Sequence, residues 1–140
     1  MNSPAVFAGV RKRPDMYLPS ATFDAAVSFV LGYDAAVSGG FLLGFREWLV
    51  TELNEGNNLS WPALVGQLIQ RRLRASAPAG GPLAPHEQHA AIENLFGTIE
   101  SFLEQRNQAG GARRIFAAYE RWLEAQDWYG PSSPEWIPRS

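Results

Sequence analysis

The residues best suited to bind a metal ion lie in one short segment near the middle of the chain. His86 and His89 are three positions apart, and Glu93 follows four positions later. On a helix all three side chains would share one face, and imidazole and carboxylate groups are ligands of Zn²⁺ and Fe²⁺. The chain has only two histidines, and their spacing differs from the His-Glu-x-x-His pattern of metalloproteases. We therefore favour a polar first turn of a surface helix, and we expect no cofactor.

Two groups of closely spaced cations could contact a phosphate group or an acidic partner. They are Arg11, Lys12 and Arg13 near the start of the chain, and Arg71, Arg72 and Arg74 before its midpoint. The first group lacks the interleaved aromatic residues of single-strand binders, so a solvated or ion-paired turn is favoured. The second group lies in the last turn of a helix, where cations complement the helix dipole. The sequence leaves open whether the two groups converge in space.

Aromatic residues offer a third candidate site, in this case for a protein partner. Trp128, Tyr129 and Trp136 lie in a proline-rich tail, and Trp61 lies at the end of the turn-forming stretch 54–61. Tryptophan and tyrosine are enriched at the centres of protein interfaces. The alternative is that the tail folds back onto the helices, and we favour this because exposed apolar patches are usually avoided.

Several classes of chemistry are excluded by residues and motifs that the sequence lacks. The chain has no cysteine, which excludes disulfides, zinc–thiolate sites, iron–sulfur clusters and a cysteine nucleophile. It has no Gly-x-Ser-x-Gly motif for a serine nucleophile. It also has neither a Gly-x-Gly-x-x-Gly motif nor a Gly-Lys phosphate-binding loop. We therefore assign no catalytic residue and favour a protein that is not an enzyme.

Residues 10–17, Val-Arg-Lys-Arg-Pro-Asp-Met-Tyr, resemble a stretch near the start of the ATPase domain of type IIA topoisomerases. The resemblance covers eight of the 140 residues, and Asp15 stands where that family has glycine. The family's next helix carries a catalytic glutamate and a magnesium-binding asparagine, whereas residues 21–40 contain neither residue type. The resemblance thus implies a shared local structure, with Met16 and Tyr17 docked on the following helix, and no ATPase activity.

The elements that must position these residues are helices, because apolar residues recur at spacings of three and four. We predict an all-α bundle of five to six helices in a single domain. Its expected parts are an N-terminal arm (1–20), a first helical half (21–74), a linker rich in proline and glycine (75–85), a helical hairpin (86–127) and a tail (128–140).

Four local expectations go with these parts. The chain is expected to be extended over 15–20 after Pro14 ends the first helix, and Thr22 is expected to cap the second helix. Gly32 inside that helix suggests close helix packing, and the third helix is expected to begin at Phe41.

Composition places the chain among ordinary folded proteins. Its 140 residues are 46% hydrophobic and 19% charged, with a net charge of -2, which is typical of one globular domain. The small net charge argues against a nucleic-acid coat and a polybasic membrane anchor. No apolar run approaches the roughly 20 residues of a membrane span, and the first residues do not follow the order of a secretory signal. We expect a cytoplasmic protein, and the alanine-, glycine- and arginine-rich composition indicates a GC-rich, bacterial genome.

The function favoured by these observations is binding of a protein partner, as in immunity, antitoxin or accessory factors of bacteria. One alternative is a small ligand- or metal-binding enzyme that uses the face of His86, His89 and Glu93 or a pocket between helices. A weaker alternative is association with nucleic acid through the arginine groups. The sequence does not indicate an oligomeric state.

Overall fold

A computed structural model describes residues 2–74 and 81–138, and every regular element in those two ranges is an α-helix. The all-α prediction is therefore confirmed for these residues. They form seven helices, one more than the highest number predicted. In chain order the helices are α1 (Ala5–Lys12), α2 (Pro14–Tyr17), α3 (Phe23–Ala36), α4 (Phe45–Leu53), α5 (Trp61–Leu73), α6 (Pro85–Arg106) and α7 (Gly111–Glu124). The first part of the predicted linker, residues 75–80, lies outside the described ranges.

The additional helix, α2, is a single turn within the segment predicted to be extended, so that prediction is wrong over 15–17. Proline has no N–H to leave unpaired, and its fixed φ suits the first position of a helix. Pro14 therefore ends α1 and also begins α2. The N–H of Leu18 closes the turn by donating to the Pro14 carbonyl oxygen at 2.9 Å.

Tyr17 packs against α1, not against the helix that follows it. A methyl group placed on Gly9 would lie 2.8 Å from the Tyr17 hydroxyl oxygen. Met16 is 69% exposed. The docking of these two residues on the following helix, which the local resemblance implies, is therefore not found.

α4 begins at Phe45, four residues later than predicted. Gly44 adopts a left-handed φ of 89°, a conformation that interrupts a helix and favours glycine. The backbone N–H of Leu42 donates to the Asp34 carboxylate at 2.9 Å. From α6, Nη1 of Arg106 donates to three carbonyl oxygens of the turn, those of Gly40, Phe41 and Leu43. Side chains thus provide hydrogen-bond partners that a further helical turn would otherwise supply.

α3 confirms one expectation about its sequence and contradicts another. Its N-cap is Thr22, whose hydroxyl accepts from the backbone N–H of Ala25 at 3.2 Å. Gly32 was expected to permit close packing, but a methyl group placed there would meet nothing within 4 Å. The glycine therefore weakens α3 without bringing another helix closer.

The core is centred on the aromatic ring of Phe7, which is 2% exposed. The rings of Phe29, Tyr33, Phe41 and Phe96 surround it edge to face, with centroid distances from 5.2 to 5.8 Å. Such edge-to-face pairs are favourable beyond the apolar area that they bury. The N-terminal arm is therefore part of the core, together with α3 and α6.

α6 is the longest helix, with 22 residues, and it packs against α1, α3, α4, α5 and α7. α1 runs antiparallel to it, because Arg11 contacts Glu93 while Asn2 contacts Asn107. α3 runs parallel to it, because its first residue contacts Gln88 and the turn after it contacts Arg106. The long helix thus serves as the common axis of the bundle.

α4, α5 and α7 run in the same general direction. The starts of α4 and α5 meet through the rings of Phe45 and Trp61, and their ends meet through Arg71, which donates to the Leu53 carbonyl oxygen at 3.2 Å. α7 follows α4 from Gly44, which lies beside Ile115, to Asn54, which accepts from the Trp122 indole N–H at 2.6 Å. This arrangement requires the chain between α4 and α5 to return along α4.

α6 and α7 meet at Gly111, which is buried. A Cβ atom at this position would overlap the backbone carbonyl oxygens of Gln105 and Arg106. Backbone atoms cannot move aside as a flexible side chain can. Glycine is therefore required for the reversal between the two helices.

We predict opposite effects when alanine replaces two of the helical glycines. Gly111→Ala should lower the free energy of unfolding by about 1–3 kcal/mol, because α7 must shift away from α6. Gly32→Ala should raise it by about 0.5–1 kcal/mol, because alanine is the better helix former and has open space there. Urea denaturation followed by circular dichroism measures both changes. Equal stabilities of the two variants would contradict the close approach at Gly111.

Candidate interaction surface

The three residues predicted as metal ligands lie on the first turns of α6 and do not act as one group. His86 and His89 are exposed, and the Glu93 carboxylate accepts from Nε of Arg11 at 2.7 Å. Within residues 2–74 and 81–138, no three His, Cys, Asp or Glu side chains lie close enough together to hold a metal ion.

In the first cationic group, Arg11 is occupied by acids of α6. It donates to Glu93 at 2.7 Å and to Glu100 at 2.9 Å, and the hydrogen bond to Glu93 is the main reason that the pKa of Arg11 is raised. Lys12 and Arg13 are exposed, and Arg13 contacts the Met16 sulfur at 3.8 Å. This matches the ion-paired turn favoured from the sequence.

The second cationic group spreads in three directions. Arg71 pairs with the Glu55 carboxylate, and Arg72 donates to the Thr98 hydroxyl at 2.9 Å. Arg74 pairs with Glu87. The three guanidinium groups therefore do not form one phosphate-binding cluster.

The two cationic groups meet at one point only among the described residues. Arg11 and Arg72 line the same cavity, of about 260 Å³, over the middle of α6. Glu93 also lines it and pairs with Arg11. Much of the positive charge at this point is therefore already paired with a carboxylate of the same chain.

Arg74 links the end of α5 to the chain that leads into α6. Its guanidinium donates to both carboxylate oxygens of Glu87, at 2.8 and 3.0 Å, and to the Pro82 carbonyl oxygen at 3.0 Å. Glu87 also accepts the backbone N–H of Ala84 at 2.8 Å. The hydrogen bonds from Arg74, and then that from Ala84, lower the pKa of Glu87 to about 2. We call the Arg74–Glu87 pair the linker clamp.

The aromatic tail folds back onto the turn between α4 and α5. The Asn57 side chain donates to the Glu135 carboxylate at 2.9 Å, and the Tyr129 hydroxyl donates to the Glu135 carbonyl oxygen at 3.5 Å. The Trp128 ring meets the Trp122 ring of α7 edge to face, with centroids 6.3 Å apart. The tail and the turn, proposed separately as partner-binding segments, therefore lie side by side.

Arg46 of α4 holds this turn in place. It donates from Nε to the Leu59 carbonyl oxygen at 2.9 Å and from Nη2 to the Asn57 carbonyl oxygen. Its guanidinium lies 6.0 Å from the centroid of the Tyr119 ring on α7. Five donors in a fixed planar arrangement allow one arginine to bind several carbonyl groups in this way.

The predicted partner-binding residues differ in how far they reach the surface. Trp128 is 47% exposed, whereas Tyr129 and Trp136 are half-buried. Trp61 is half-buried at the start of α5, with its ring 5.5 Å from that of Phe45. Trp61 therefore supports the surface from the side of the core, and Trp128 is the aromatic residue that a partner could reach.

Sequence reasoning missed one residue of this surface, Ile137, and the contacts of two residues that support it, Trp122 and Arg46. Ile137 is 76% exposed, and nothing in its sequence context distinguishes it from other tail residues. Trp122 of α7 packs against the core, and its indole N–H also donates to Asn54 of the turn. Arg46 occupies the polar side of a helix and is one of 11 arginines, so its role carries no signal of its own.

The two chain segments that form the surface contain acids and no cations. Residues 54–60 and 128–138 contain Glu55 and Glu135 and no lysine or arginine, and Glu55 pairs with Arg71 of α5. We define the tail–turn surface as residues 54–60 together with 128–138.

Comparison of the chain with models of protein families, with curated proteins and with solved structures found no match. None of the described helices combines the length and the apolar character needed to cross a membrane.

The linker clamp predicts a specific dependence of stability on pH. The folded-state pKa of Glu87 is lowered from 4.5 to about 2, so its carboxylate stabilises the fold fully above about pH 5 and loses this effect as pH falls towards 2. Glu87→Gln should therefore lower the Tm at pH 7, and the difference from the wild type should close in acid. Thermal melts followed by circular dichroism from pH 7 to pH 2.5 test this.

Glu104→Gln is the matched control for the clamp, because it removes an exposed carboxylate from the same helix. Its Tm should follow that of the wild type at every pH. If the Tm difference between Glu87→Gln and the wild type stays constant down to the lowest pH, the clamp does not depend on the negative charge of Glu87.

Arg46→Ala should lower the free energy of unfolding by about 1–3 kcal/mol, because the carbonyl groups of Asn57 and Leu59 lose their donors. Arg113→Ala removes an exposed arginine of α7 and should change stability by less than about 0.5 kcal/mol. Urea denaturation gives both values. If the two variants are equally stable, Arg46 does not hold the turn.

Proposed function

We propose that the chain is a non-enzymatic helical protein that binds another protein through the tail–turn surface. The observation that carries this proposal is a tail fixed onto the turn, with Trp128 47% and Ile137 76% exposed. We also propose that it acts in the cytoplasm of a bacterium, in the class of immunity, antitoxin or accessory factors.

The fixed backbone around these two side chains supports binding. A segment whose backbone is already held in place loses less conformational freedom when a partner covers it. The Asn57–Glu135 hydrogen bond fixes the tail, and Arg46 fixes the turn beneath it. Exposed tryptophans on such a surface are frequent centres of interface energy.

The charge of the surface supports one kind of partner. Its two acids, Glu55 and Glu135, favour a partner whose apolar pocket is bordered by lysine or arginine. An arginine of the partner could also stack on the exposed face of Trp128. The proposed partner is therefore a basic protein with an apolar pocket.

The arginine groups give less support to nucleic-acid binding. Arg11, Arg71 and Arg74 already pair with carboxylates of the same chain. A phosphate group would have to displace those carboxylates before it gained a contact.

The proposal predicts which variants lose a partner. The tagged wild-type chain, a Trp128→Ala/Ile137→Ser double variant and a Leu31→Ala control are used to capture proteins from the host lysate, with and without nuclease. Leu31 is a 42% exposed leucine on α3, outside the tail–turn surface. One protein should be retained by the wild type and by the control. Its retention by the double variant should fall about tenfold or more, since two central contacts are lost.

Calorimetry with the purified partner then measures the dissociation constant and its salt dependence. Binding should weaken as salt rises, because the acids of the surface are screened. Equal retention by all three chains, or the absence of any retained protein, would refute the proposal. Loss of the retained material on nuclease treatment would instead favour the nucleic-acid alternative.

A further inference from the structure

A second site lies between α4 and α7, where the two helices run in the same direction above the end of α6. They enclose a cleft of about 320 Å³, which lies within the size range of small-molecule pockets. Residues of the tail–turn surface do not line it. An inference about this cleft is therefore independent of the proposed function.

The floor of the cleft is apolar and fixed in orientation. The Trp48 indole N–H donates to the Gln105 side chain at 3.1 Å, and its ring stacks on that of Phe45 with centroids 6.2 Å apart. Because its polar atom already has a partner, Trp48 offers the cleft an apolar ring surface. Ile115 and Ala118 extend that surface along α7.

The rim of the cleft carries two guanidinium groups from one face of α7. Arg114 and Arg121 are seven residues apart, which places them on the same side of the helix at a rise of about 10 Å. Neither forms an ion pair with an acid of residues 2–74 or 81–138. Arg114 donates to the Ala109 carbonyl oxygen at 2.9 Å, a contact that orients its charge without neutralising it.

One acid, Glu52 of α4, also lines the cleft. Two cations and one acid leave the cleft with a net positive charge around an apolar floor. A ligand that matches both properties carries a negative group and an apolar body.

We propose that this cleft binds a small organic acid. Its carboxylate pairs with the guanidinium of Arg114 or Arg121, and its apolar body lies on Trp48, Ile115 and Ala118. Glu52 opposes binding of the acid, because it repels the carboxylate.

Titration with 4-phenylbutyrate, followed through the NMR signal of the Trp48 indole N–H, tests the proposal. The neutral amide 4-phenylbutyramide has nearly the same shape and serves as the matched ligand. The acid should shift the signal with a dissociation constant on the order of millimolar, and the amide should bind more weakly, by roughly tenfold.

Charge variants of the cleft separate this site from non-specific attraction. Arg114→Gln/Arg121→Gln should weaken binding of the acid by roughly tenfold, whereas Glu52→Gln should strengthen it by roughly two- to fivefold. Arg113→Gln removes the same charge from an exposed position of α7 that does not line the cleft, and it should leave binding unchanged. Far-UV circular dichroism confirms that each variant is folded.

The proposal is overturned if neither compound shifts the Trp48 signal at ligand concentrations tens of times higher than the expected dissociation constant. It is equally overturned if the acid and the amide bind alike, or if Arg113→Gln weakens binding as much as the double variant.

Discussion

Guanidinium groups that donate to loop carbonyl oxygens determine how the helices of this protein are placed. Arg106 binds the turn before α4, Arg46 binds the turn after it, and Arg74 binds the chain before α6. A loop without regular structure leaves carbonyl groups that need a donor, and each of these arginines supplies several donors from a fixed helix. The orientation of α4, with a fixed turn at each end, follows from two of them.

Both proposed sites depend on that placement of α4. The chain between α4 and α5 returns along α4, so α5 runs beside α4 in the same direction. The same segment forms the turn that contacts the tail, with Asn57 in contact with Glu135. Its other face meets α7 and forms the cleft above Trp48. A hairpin with a short connection would have reversed α5 and left neither the tail–turn surface nor its support. The positions of the two sites are thus consequences of loop geometry more than of helix sequence.

The sequence predicted the helices well because the spacing of buried residues is a local property. It failed where the same apolar residues are buried in a turn. Phe41 and Leu42 continue the helical spacing, but the segment is not helical because of three contacts or conformations: the left-handed Gly44, the Asp34 carboxylate that accepts from the turn, and the Arg106 guanidinium that donates to it. Among the site residues, the tail aromatics were recognisable by type. Arg46 was not, because only its distant partners distinguish it from the other arginines. Contacts of this kind arise from the fold and leave no pattern along the chain.

The linker clamp indicates where a foreign sequence can be inserted into this chain. Arg74 and Pro82 are held 3.0 Å apart at their contacting atoms, so two described residues on either side of positions 75–80 are already joined. Doubling the number of residues between two joined points costs only about 0.6 kcal/mol in closure entropy. A fluorescent or affinity domain inserted between residues 74 and 81 would therefore leave the helices on either side in register. An insertion at this position would also avoid adding sequence next to two packed parts of the fold, the aromatic cluster around Phe7 and the docked tail.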